Sequence, residues 1–197
     1  MGDWFQTIVD VQASPQEAET LAADVRDWLI SSGIVSAERT DCTLGSDLGY
    51  PPGPRADEMV DASGWSVPWQ DVRINGLDII TCRTAFDAGQ GDPIAVTCPH
   101  CSVEIELVDE DFELIEEAWE PFSGVVHGWD EGRDVIIPCP ACTRLVEPTS
   151  WKWADDYFAF GHLGFTFWNW APLRAEFVAE FTRHLAGHRI ALFSGKF

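Results

Sequence analysis

The sequence predicts an α+β fold, a ferredoxin-like β-α-β … β-α-β sheet whose two halves are parted by a long insertion. A strand–helix–strand pattern opens the chain, and the same order of patterns closes it. A chain of 197 residues that is 46% hydrophobic and 12% aromatic can bury a core, which excludes a disordered acidic tail. The two halves agree in pattern and not in residue identity. The expected sheet domain is residues 1–43 with 157–197, and residues 44–156 form the insertion.

The first strand is expected over Trp4–Val11, rich in β-branched and aromatic residues. Ser14-Pro15-Gln16-Glu17 then reads as a capping box with proline at the first helical position. Ala18, Leu21, Ala22, Val25, Trp28 and Leu29 follow at helical spacing, and Gly33 ends the helix. Ile34–Arg39 is expected as the second strand. In the closing half, His162–Trp170 alternates as a strand with Leu163, Phe165 and Phe167 on one side. Pro172 opens a helix with the stripe Leu173, Phe177, Phe181 and Leu185; Gly187 closes it, and Arg189–Phe193 is the last strand.

Within the insertion, the prolines of Tyr50–Pro54 exclude helix and central strand. Asn75-Gly76 between Val72–Ile74 and Leu77–Ile80 is a hairpin signal, and Asp111–Trp119 is helix-like. Charge is concentrated here. The formal net charge is −21, and thirteen acidic residues but no Lys or Arg lie between Arg83 and Arg133. Nine of them are Glu104, Glu106, Asp109, Glu110, Asp111, Glu113, Glu116, Glu117 and Glu120. Such charge argues against phosphate backbones and anionic membranes, and no apolar run approaches the roughly 20 residues of a bilayer span. Neither a secretory signal nor a myristoylation pattern is expected at the N-terminus, so the compartment expected is the cytoplasm.

Two pairs of cysteines flank this acid: Cys98-Pro99-His100-Cys101 and Cys139-Pro140-Ala141-Cys142. Cysteines two residues apart on a tight turn can aim both sulfurs at one ion, and two such turns supply four thiolates. Apolar, strand-like residues border each pair. The turns resemble the zinc knuckles of zinc-ribbon and rubredoxin-like modules, a resemblance covering about residues 94–146. It implies one structural Zn(2+) per chain held by Cys98, Cys101, Cys139 and Cys142. The spacing departs from a compact ribbon, with 37 residues between the pairs. Cys-Pro-His-Cys also occurs in oxidising thioredoxin-fold sites, but Val103, Ile105 and Leu107 after it have strand spacing rather than that of a helix start. Zinc is therefore expected over a redox dithiol, iron or disulfides. A closed tetrathiolate leaves no position for water, so the metal is expected to be structural rather than catalytic.

Cys42 and Cys82 read as small buried hydrophobes in strands. His162, near Asp155 and Asp156, is a candidate general base, with packing as its plainer role. The i,i+4 pair His184 and His188 is interrupted by Gly187 and is not expected to bind a metal. Of ten tryptophans, Trp4 and Trp28 read as core. The pairs Trp151/Trp153 and Trp168/Trp170 should each share a strand face, packing the insertion onto the sheet or offering an interface. The expected function is a non-enzymatic zinc-binding protein whose nine acidic residues engage a basic protein partner. An immunity protein against a basic toxin, or an adaptor, would do this. The alternative is a small enzyme or ligand-binding domain with a Trp-lined cleft around His162, Asp155 and Asp156.

Overall fold

A computed structural model of the chain describes residues 2–64, 69, 72–133 and 135–196, with the backbone alone of residue 127. Helices and several small antiparallel sheets are mixed along the chain, an α+β architecture. The largest sheet has four strands: β1 (Trp4–Asp10), β2 (Gly76–Ile80), β10 (Leu163–Trp168) and β11 (Ile190–Lys196). Their order is β11-β1-β10-β2, with every neighbour antiparallel. Val9 lies opposite Gly164 on one side and Ala191 on the other, which sets the register.

Helix α1 (Pro15–Ser31) starts where the sequence places it. The Glu17 carboxylate accepts from the Ser14 backbone N–H (3.1 Å) and hydroxyl (2.6 Å). Its buried positions are Ala18, Ala22, Val25 and Leu29. Helix α3 (Ala175–His184) buries Phe177 and Phe181; it starts three residues after Pro172, and Leu173 lies ahead of it in an antiparallel bridge with Val60. Both helices cover one face of the sheet, where they enclose Ile8, Leu77, Leu163, Phe165 and Phe167.

Ile34–Arg39 is not a strand. Gly33 adopts φ +72°, and the amides of Ile34 and Val35 turn back to the Leu29 carbonyl (2.9 and 3.4 Å). Ile34 and Val35 are buried because they finish the helix-side core, and the segment's pairing is limited to an isolated antiparallel bridge between Val35 and Pro52. The second strand of the unit is instead β2, inside the stretch read as insertion. Asn75-Gly76 makes no hairpin. Gly76 begins β2, and a Cβ there would collide with the Cys42 Sγ.

The opposite face of the sheet carries Phe5, Val9, Trp168, Ala191 and Phe193. A ribbon of β3 (Thr84–Asp87) and β9 (Phe158–Gly161) lies over it. Strand alternation gives this ribbon two apolar faces. Phe86 and Ala159 join the sheet's outer core, whereas Ala85 and Phe160 belong to the core of the cysteine module. Gly164 is needed where Phe86 lands, since a Cβ would overlap the ring edge. Gly164→Ala should therefore destabilise the chain by about 1–3 kcal/mol. An unchanged urea midpoint would reject that packing.

The cysteine module is built from β4 (Ala95–Thr97), β5 (Glu104–Glu106), α2 (Glu116–Asp130), β6 (Ile137–Pro138), β7 (Leu145–Val146) and β8 (Lys152–Trp153). The helix begins five residues later than Asp111 and runs on to Asp130. Asp109 explains the late start: its Oδ1 accepts from the amides of Asp111 (2.9 Å) and Glu113 (3.0 Å), closing a turn with Phe112 at φ 62°. Buried Phe122 and Val125 carry the helix past Pro121.

Candidate metal centre

Each Cys-Pro-x-Cys segment is a turn between two short strands, and the two turns are alike. The Cys98 amide donates to the Val103 carbonyl (3.0 Å), and the Ser102 amide donates to the Cys98 carbonyl (3.0 Å). In the second, Cys139 donates to Arg144 and Thr143 donates to Cys139, both at 2.8 Å. Ser102 (φ 59°) and Thr143 (φ 61°) occupy the left-handed region at the same place in each turn. This reversal returns the chain to β5 and β7 and leaves the sulfurs on the inside. The 37 residues between the turns are taken up largely by β5, the Asp109 turn and α2.

The four sulfurs of Cys98, Cys101, Cys139 and Cys142 all lie within 4.8 Å of one another, an arrangement that can hold a metal ion. Cys98 Sγ is 3.9 Å from Cys142 Sγ, and Cys101 Sγ is 3.9 Å from Cys139 Sγ. Cys98 and Cys139 are each 1% exposed, and Cys101 and Cys142 are partly buried. Burial pushes the Cys98 thiol up, but the Cys101 and His100 amides and neighbouring thiols outweigh it and bring it down to about 7. At Cys101 the Val103 amide favours the thiolate, yet burial and the other three thiols push it up to about 11. Among the described residues no other cluster of metal-ligating side chains occurs.

The nine acidic residues from Glu104 to Glu120 are all exposed, and none forms an ion pair among the described residues. β5, the Asp109 turn and the start of α2 carry them beside the first cysteine turn. Phe112, at the tip of that turn, is 74% exposed.

The other candidates do not assemble. Asp155 and Asp156 precede β9 and His162 follows it, so a strand rising ~3.3 Å per residue holds them apart. The His162 ring lies beside Trp129, 6.0 Å between centroids, and burial together with Arg83 keeps the imidazole below its ordinary range. Arg83 itself lies over the Trp129 ring at 3.7 Å. His184 stacks on Trp28 at 4.1 Å, while His188 Nδ1 is 2.9 Å from Asp10 Oδ2. Cys42 is buried, but Cys82 is exposed in the link between β2 and β3 and is not a core residue.

Trp151 and Trp153 share one core with Phe122 of α2, as their spacing implies. Trp168 and Trp170 do not share a face. β10 ends at Trp168, Asn169 turns at φ 54°, and Trp170 packs on Phe167 and Trp69 in the helix-side core. Trp4 is 38% exposed rather than core. Two features escaped the sequence reading: the Asp10–His188 pair and a cleft bordered by Lys152 and Arg189. Both join residues distant in sequence, and no local pattern marks them. No described helix is long and apolar enough to cross a membrane. Compared with protein-family models, curated proteins and solved structures, the chain matches none.

Proposed function

We propose that the chain is a non-enzymatic cytoplasmic binding protein, with one structural zinc bracing an acidic surface that engages a basic protein. The metal assignment is supported by distance. Thiolates ~2.3 Å from a tetrahedral zinc stand ~3.8 Å apart, close to the two 3.9 Å separations. Four thiolates of this softness suit zinc and close the coordination shell, so the ion's work is to hold the turns. The turn geometry favours the zinc-knuckle reading. A last-first-third-second strand order with two helices on one face likewise favours the ferredoxin-like reading of the sheet. Six free cysteines suit a reducing compartment.

The observation that carries the binding reading is the exposure of all nine carboxylates, without an ion pair among the described residues, on one short stretch. A field of one sign steers an oppositely charged partner and speeds association. A basic, nucleic-acid-cleaving toxin neutralised by an immunity protein fits that chemistry, and so does a basic subunit met by an adaptor. Combined Glu113→Lys, Glu116→Lys and Glu117→Lys should cut recovery of the basic partner from native-cell extract by at least ~10-fold, with circular dichroism unchanged. Unchanged recovery would sink the proposal.

A further inference from the structure

A cleft of about 300 Å³ lies where the cysteine module meets the ends of β1 and β11. That volume is at the lower end of small-molecule sites, and junctions between structural units are where such sites concentrate. One wall is aromatic: Trp151, Trp153, Phe158 and Phe160. Val11, Ala159 and Ala191 extend the apolar lining.

Charge at this cleft runs against the rest of the molecule. Only 12 Lys and Arg face 33 Asp and Glu in the whole chain, yet Lys152 and Arg189 both border this one opening. Arg26, Arg55, Arg73 and Arg133 each pair with a nearby carboxylate; Lys152 and Arg189, like six further Lys and Arg, form no ion pair among the described residues. Asp156 also lines the cleft, where burial raises its carboxyl against the pull of Arg189. Trp151 and Trp153 are only 5% and 6% exposed and pack on Phe122 in the core of the cysteine module.

We infer that this cleft binds a small organic carboxylate with a flat apolar body, its anionic end toward Lys152 and Arg189 and its body against the Trp and Phe wall. Cations supply charge-assisted hydrogen bonds to the carboxylate, and the aromatic faces take the body out of water. None of the four cysteines lines this site, and Glu104 of the acidic stretch lies two strands from Lys152, across Thr97.

The test uses the full zinc-loaded chain and ligand-observed NMR with benzoate, indole-3-carboxylate and acetate, against benzyl alcohol and inorganic phosphate. One of the aromatic carboxylates should bind saturably and outcompete acetate, benzyl alcohol and phosphate. Lys152→Gln and Arg189→Gln should each weaken it about tenfold. Asp156→Asn should strengthen it several-fold by removing a competing charge. This gain cannot come from damaged folding, and all three side chains are exposed. Saturable binding of neither aromatic carboxylate, equal binding of benzyl alcohol or phosphate, or affinity untouched by all three substitutions would overturn the assignment.

Discussion

Elemental analysis of the purified chain is expected to find about one zinc per polypeptide, and Cys98→Ser with Cys139→Ser should remove it. These are the two most buried of the four clustered cysteines, and each anchors one turn. The strands that the turns join are only two or three residues long, too short to stand as isolated hairpins. Their core of Val96, Leu107, Phe122, Ile137, Val146, Trp151 and Trp153 closes directly over Cys98 and Cys139. Structural zinc contributes apparent binding energies of roughly 10–16 kcal/mol in small modules, which is comparable to the whole stability of an ordinary domain. Metal loss should therefore unfold the module, exposing Trp119, Trp151 and Trp153 and shifting tryptophan emission to the red. Amide exchange should accelerate over residues 94–153, with slower exchange kept in β1 and β10. Metal-free protein with unchanged thermal stability would reject a structural ion.

How far the sequence carried depends on whether a feature is local. The α1 start and stripe, the Phe177 and Phe181 positions of α3 and the two cysteine turns are written within a few residues. In each, a cap, a 3.6-residue period or a two-residue ligand spacing has one dominant structural outcome. Sheet membership is not local. Ile34–Val35 and Leu77–Ile80 are both apolar, and only the tertiary context makes the second a strand and the first a buried helix exit. Asn75-Gly76 misled for a similar reason, since its glycine answers to Cys42 rather than to a turn. The Trp168/Trp170 spacing failed at a single backbone angle, that of Asn169. For the metal centre the ligand types and spacing sufficed. The Lys152–Arg189 cleft needs β8, β9 and β11 placed together first, and its members lie dozens of residues apart.

Asp10→Ala should cost about 3–5 kcal/mol, as much as truncating a buried aromatic of the core. Asp10 ends β1 with 0% exposure, and its two carboxylate oxygens reach two different connections. Its Oδ1 accepts from the amides of Gln12 and Ala13, both at 2.9 Å, which shapes the passage from β1 into α1. Its Oδ2 meets His188 Nδ1 at 2.9 Å, which ties down the passage from α3 into β11. One carboxylate thus fastens both helix connections at the same end of the sheet. Alanine removes all three acceptor contacts at once and leaves the buried Ala13 amide unmet beside the part-buried Gln12 amide and His188, an unmet buried donor being worth about 1–3 kcal/mol. For a chain of this length the loss corresponds to ~10 °C in midpoint. Asp10→Asn keeps a carbonyl oxygen for the two amides and so should recover more than half of the deficit. His188→Ala removes only the Oδ2 contact and should fall between the native chain and Asp10→Ala. Thermal and urea unfolding of the three variants gives the order directly. Asp10→Ala within ~1 kcal/mol of the native chain, or less stable Asn than Ala, would show that the carboxylate does not hold these connections.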